Sequence, residues 1–315
     1  MKLSLLKHIL TILCLGCCIS SKAVQPAIPD TIPFEIGADK RIYVSAYING
    51  QTTRPYRFLV DTGASSVVLN SSLKDVLESA EFCETVVNRG ATSTETIPAT
   101  DANQTLQIGR NVVKGLRFIA IAYPPSAWDG VLGLAFLREF DVVFNYDRKE
   151  MYLYTQGYAP KPDSRALPFE YRANVPVVTI AATIRGKRHK LHVELDSGSD
   201  RTLDINTPYV NKHELRGTLP VFAVSTIAGT SQEQGRLENV LLDEVKIGDV
   251  TFPLLPGAFS TLTAGLQSTQ EFDGVIGNNL LQRFNQVWDF KNNKLYLSVN
   301  CRYYTPFYDF LVAQF

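Results

Sequence analysis

Phe58-Leu59-Val60-Asp61-Thr62-Gly63-Ala64-Ser65 ends an apolar run in a carboxylate, a hydroxyl residue and a glycine. A segment of this kind carries an acid from the end of a strand into a tight turn. One copy means little, because Asp-Thr-Gly is also an ordinary turn. A second copy, Leu195-Asp196-Ser197-Gly198-Ser199, follows 135 positions on. Other landmarks repeat around the pair. Ser72 and Thr207 each stand eleven residues after their Asp and open a predicted short helix, Ser72 as a cap and Thr207 with Pro208 in the first turn. Ala228-Gly229-Thr230-Ser231 answers Arg89-Gly90-Ala91-Thr92, and Ile247-Gly248 answers Ile108-Gly109, both at an offset of 139. Phe272-Asp273-Gly274-Val275-Ile276-Gly277 answers Trp128-Asp129-Gly130-Val131-Leu132-Gly133, and Phe284 to Ser298 answers Phe140 to Tyr154. Six landmarks keep one order while their offsets drift only from 135 to 144, so the chain is two copies of one domain.

That domain is β-rich. Alternating or continuous apolar runs predict strands over 41–49, turned at Asn49-Gly50, and over 56–60, 106–109, 116–122, 177–184 and 191–195, with a hairpin over 142–154. The polar stretch 156–174 reads as a linker. Long helical periodicity is scarce, which excludes a helical bundle, and no helices separate successive strands, which excludes a parallel α/β sheet. The expectation is an all-β protein of two homologous barrel-like lobes with short helices. Its 315 residues divide into a leader (1–23), an N-terminal lobe carrying Asp61 (24–158) and a C-terminal lobe carrying Asp196 (159–315).

The leader has Lys2 and Lys7 before an apolar run, Ile9 to Ile19, that is too short to span a bilayer. It reads as a secretory signal peptide cut after Ala23, with a lipid anchor on Cys17 of Leu15-Gly16-Cys17 as the competing reading. Either way the chain is expected to be exported: periplasmic, outer-membrane-anchored or extracellular. No later segment reads as a membrane span. Lys plus Arg (31) balance Asp plus Glu (31), so the charge points to no nucleic acid and no anionic membrane surface as a partner. Outside the leader only Cys83 and Cys301 remain, either as one bridge or as two buried free thiols.

One Asp at the same place in each of two lobes can be brought to a shared axis. Two carboxylates about 3 Å apart do not both ionise easily, so over a range of pH the pair keeps one proton between them. Such a pair takes a proton from water while giving one to a substrate carbonyl, which hydrolyses an amide with neither a metal nor a covalent intermediate. No cofactor is expected.

With these residues the chain resembles the aspartic peptidases of the pepsin and retropepsin superfamily, and among them the secreted bacterial retropepsin-like proteins that hold two lobes in one chain. Asp61-Thr62-Gly63-Ala64 is similar to the retroviral form of the active-site motif and Asp196-Ser197-Gly198-Ser199 to the pepsin form. The resemblance implies a pepsin-like bilobal fold and an aspartic-type endopeptidase with Asp61 and Asp196 as the catalytic dyad. It implies that Thr62 and Ser197 bond across the two turns, and that Val131-Leu132-Gly133 and Val275-Ile276-Gly277 back them. Gly90 and Gly229 fall where flaps would fold over an extended peptide or protein substrate. With both halves of the site in one chain, the protein is expected to be a monomer.

The sequence departs from the pattern at Asp200-Arg201-Thr202, a polar run where the first lobe has Ser65-Ser66-Val67. That leaves open a non-catalytic peptide-binding or scaffold protein that kept the fold without a working dyad. Ala64 and Ser199 also differ, and a Ser199 hydroxyl bonded to Asp196 would make Asp196 the more acidic partner. His189 and His192 point to opposite faces of a predicted strand and make a poor metal pair, while His213 stands alone in the sequence. Trp128, Phe272 and the aromatic tail from Tyr303 read as packing residues.

Overall fold

Asn49 and Gly50 both take left-handed backbone, φ +50° and +74°, the pair that a tight type I′ reversal requires. The strands on either side, Ile42–Ile48 and Tyr56–Val60, pair antiparallel with Tyr43 opposite Leu59. This is a computed structural model, and it describes residues 28–228 and 234–307. The signal-peptide reading, Cys17 and Gly229 therefore lie outside the described residues.

Tyr56–Val60 is buried at four of its five residues, so it reads as a continuous apolar run and ends directly in Asp61. Gly130–Leu132 lies parallel beside it, with Val131 opposite Leu59, and Val67–Asn70 closes on the far side of that short strand. The second half repeats the arrangement. Lys187–Asp196 runs into its own acid, with Gly274–Gly277 parallel beside it and Leu203–Ile205 beyond. Each Asp thus stands at the end of a central strand whose neighbour runs parallel, which fixes the height at which its turn emerges.

The two halves meet strand to strand. Phe140–Asn145 pairs antiparallel with Phe284–Asp289, Val142 opposite Trp288 and Phe144 opposite Gln286. In the repeat Val142 corresponds to Gln286 and Phe144 to Trp288, so exchanging the copies maps this pairing onto itself. That is a local two-fold axis, and Trp288, Phe284 and Phe144 seal it inside one apolar core shared by both lobes. Among the described residues helices are confined to single turns and one piece of six residues, Thr207–Lys212, with Pro208 in its first turn. Among the described residues no helix is long and apolar enough to cross a membrane.

Three details differ from the sequence reading, and the packing of the tail agrees with it. The stretch taken as a linker holds a strand, Leu167–Arg172, because Phe169 buries against Trp288 and Phe290. Ser72 does not cap the first helix, which starts at Lys74 after Leu73. Its N–H instead donates to Asn70 Oδ1. Cys83 and Cys301 are both free and exposed, neither bridged nor buried. The tail packs on the body as far as it is described, with Tyr303 against Phe252 and Phe307 over the buried Arg283 guanidinium.

Candidate active site

The turns after Asp61 and Asp196 are built alike. Gly63 and Ala64 donate their backbone N–H to Asp61 Oδ1 at 2.7 and 3.0 Å, and Gly198 and Ser199 donate theirs to Asp196 Oδ1 at 2.8 and 3.0 Å. Each glycine faces the opposite acid. A Cβ on Gly63 would stand 2.7 Å from Asp196 Cγ, and one on Gly198 would collide with the Asp61 carboxylate. Only a residue without a side chain lets the two carboxyls approach, and they hydrogen-bond each other.

Behind them Thr62 and Ser197, both buried, cross between the lobes. Thr62 N–H donates to Ser197 Oγ and Ser197 N–H to Thr62 Oγ1, each at 3.0 Å. In return the Thr62 hydroxyl donates to Leu195 O at 2.6 Å and the Ser197 hydroxyl to Val60 O at 2.9 Å. Four buried bonds related by the two-fold exchange clamp one turn to the other, each worth about 0.5–1.5 kcal/mol net and more to lose.

The turns are held from behind by the segments that follow the short parallel strands. Leu134 N–H donates to Ala64 O at 2.8 Å, and Asn278 N–H to Ser199 O at 2.7 Å. Gly133 and Gly277 permit this contact. A Cβ on Gly133 would collide with the carbonyls of Ala64 and Ser66, and one on Gly277 with Arg201 O.

The polar run after the second motif is fully engaged. Asp200 reaches Arg41 of the first lobe at 3.6 Å. Arg201 bonds Asp204 at 3.2 Å and Asn239 at 2.7 Å, and Thr202 accepts from Asn279 at 3.0 Å. The polarity serves a buried network that holds the turn.

The proton distribution differs from the expectation. The Ser199 hydroxyl accepts from Arg201 N–H, and the acids receive matching backbone bonds, so this serine does not set them apart. What does is their surroundings. Burial raises both. At Asp61 the bond from Asp196, the two backbone N–H groups and the Arg41 charge work against the rise. At Asp196 the negative charges of Asp61 and Glu194 add to it, and it is held well above the usual carboxylate range. Of the two, Asp196 is thus the acid pushed further toward its protonated form.

Three neighbours escaped the sequence reading. Glu194 lies two residues before Asp196 and hence on the same strand face, a position that the period-2 rule makes legible. Arg41 sits against Trp128, and Tyr123 packs at a tilt on that ring, 4.9 Å between centroids, its hydroxyl pKa raised by burial and by the Asp61 charge. Trp128 is thus part of the wall around the first acid, whereas Phe272 is buried in the core. His213 is not solitary in space: its ring lies 4.2 Å from Tyr209 and 5.5 Å from His189, and His192 bonds Asp273 at 3.1 Å. Among the described residues no cluster of three or more His, Cys, Asp or Glu could hold a metal.

A hairpin, Phe82–Arg89 and Thr94–Thr100, carries Gly90 at its tip and reaches the second lobe. Gly90 O accepts from Leu266 N–H at 2.9 Å, and Arg89 pairs with Glu271 at 2.7 Å. The corresponding hairpin of the second lobe, Val221–Ala228 and Gln234–Ile247, flanks Gly229.

Residues 44–136 match the aspartyl protease family. No curated protein matches the chain in sequence. Among solved structures the chain is similar to the aspartic proteinase from Irpex lacteus, with a TM-score of 0.55 and 13% identity over 88% of this chain and 99% of that one. At such identity the likeness is one of fold, and it runs through both lobes. The first lobe thus carries a match to the aspartyl protease family, and the whole molecule has the two-lobed fold of a pepsin-like aspartic proteinase.

Proposed function

We propose that the protein is an endopeptidase whose catalytic dyad is Asp61 and Asp196, acting on an extended peptide held between the lobes. The observation that carries this reading is the reciprocal Thr62 and Ser197 clamp, which holds two hydrogen-bonded carboxyls with one shared proton. The charged Asp61 takes a proton from water as the water oxygen attacks the scissile carbonyl carbon. Asp196 gives its proton to the carbonyl oxygen, forming a tetrahedral diol. Asp196 then takes a diol proton, Asp61 gives its own to the amide nitrogen, and the C–N bond breaks. The dyad returns to its starting state with no metal or covalent intermediate in the cycle.

The hairpin carrying Gly90 is the flap. Its strands offer backbone groups with which a peptide can pair as an added strand. The Thr92 and Ser93 hydroxyls near its tip are buried without partners, as is Trp128 Nε1, leaving polar groups for a ligand to satisfy. That one chain supplies both acids supports a monomer as the working form, and the leader sequence supports export from the cytoplasm.

The test is cleavage of a peptide library from acid to neutral pH by the wild type, Asp61→Asn and Asp196→Asn. Each substitution is expected to lower kcat by at least about 10³-fold. Cleavage by either variant at the wild-type rate refutes the dyad.

A further inference from the structure

Glu194 is a carboxyl in a place the repeat fills with hydrocarbon. Its counterpart in the first lobe is Leu59, which packs with Tyr43, Val68, Ile119 and Val131 in a layer that holds no carboxyl. Glu194 has the same station and is only 2% exposed. It stands two residues before Asp196 on one strand, between Val177 and Val275 on the flanking strands. Its Oε1 faces the first-lobe turn, 2.9 Å from where a Cβ on Gly63 would lie, beside the Asp196 carboxyl. A buried carboxyl without a basic partner is costly, and an apolar residue would pack there at no such cost.

We propose that Glu194 is a positioning residue of the dyad, a third acid that, once charged, holds the shared proton on Asp196 and so extends the working protonation state into alkaline pH. This deepens the peptidase reading above and rests on it. The surrounding charges are accounted for as follows. On its own strand are Asp196 and, on the other side, His192, which is engaged with Asp273. The first lobe brings Asp61, Tyr123 and Arg41, the last paired with Asp39 and Asp200. The flanking strands bring only valines beside it. Arg41 acts on both dyad acids, while burial and the charge of Asp61 alone push Glu194 up to about 8. Below that pH Glu194 is neutral and leaves the first ionisation of the dyad undisturbed. Above it the new negative charge opposes the loss of the Asp196 proton, which delays the doubly ionised, inactive dyad.

The experiment compares the wild type with Glu194→Gln, which keeps size and polarity, and Glu194→Leu, which copies the first lobe. In the pH profile of kcat/KM both variants should move the alkaline limb down by about one pH unit or more while the acid limb stays. Carbon-13 NMR of carboxyl-labelled Asp follows Asp196 directly, with or without turnover, and its midpoint should fall in both variants. An unchanged alkaline limb and an unchanged Asp196 midpoint overturn the role of Glu194 while leaving the peptidase intact. If the wild type cleaves nothing at any pH, the peptidase reading fails and the NMR midpoint alone decides on Glu194: a fall supports the proton-holding role, no change ends it.

Discussion

Asp61 and Asp196 accept matching backbone bonds in their turns, yet their carboxyls are raised to different degrees because what lies beyond the turns is not symmetric. Arg41 counters the burial of one acid, and Glu194 adds to that of the other. Glu194 also gives the fold a pH signature. Its ordinary value is 4.5 and its folded value about 8, so between them the folded chain holds a proton that the unfolded chain has released. Stability from this group is complete below the lower value and is lost as pH rises through the upper one, by up to about 1.4 kcal/mol per unit in between. Urea midpoints measured from acid to mildly alkaline pH should therefore fall more steeply in the wild type than in Glu194→Gln. Parallel curves would mean that the carboxyl is solvated. The motif acids were legible in the sequence because spacing and repetition mark them. Glu194 was equally present, but its importance depends on burial and on Gly63 of the other lobe.

At the scale of elements, the site depends on backbone meeting backbone. The segment after each short parallel strand donates to a carbonyl of the turn that holds Asp61 or Asp196, and Gly133 and Gly277 are the residues that allow the approach. On Gly277 a Cβ would also lie 2.8 Å from Arg201 N, and neither atom belongs to a flexible side chain that could swing away. Gly277→Ala is expected to cost about 1–3 kcal/mol in urea unfolding and to lower kcat further than lost folding explains, because the turn holding Asp196 must shift. Full activity at reduced stability would show that the turn tolerates displacement. Periodicity located the strands, since their faces are set by local alternation. It missed Leu167–Arg172, whose pairing is decided by distant Trp288 and Phe290.

At the scale of the molecule, the lobes are joined by more than the Thr62 and Ser197 crossing. Phe140–Asn145 pairs with Phe284–Asp289 in the core, and the hairpin carrying Gly90 rests on the second lobe. The first contact is buried and the second is partly a surface ion pair. Arg89 and Glu271 are about half exposed, so their 2.7 Å pair is worth no more than about 1 kcal/mol to the fold. Arg89→Ala should leave the urea midpoint nearly unchanged while hydrogen exchange at the Leu266 amide, bonded to Gly90 O, becomes several-fold faster. Unaltered exchange would assign the closure to the backbone contacts alone.

By itself the sequence determined that the chain is a duplicated all-β protein with one acid per copy. Repetition, alternation and turn chemistry are local properties that survive without coordinates. The tertiary structure decided what those acids share. The Thr62 and Ser197 crossing, the approach allowed by Gly63 and Gly198, the Arg41 bond to Asp200 and the burial of Glu194 each join residues more than a hundred positions apart or depend on exclusion of water. A proton's location is set by distance and solvent access, and only the folded chain has either.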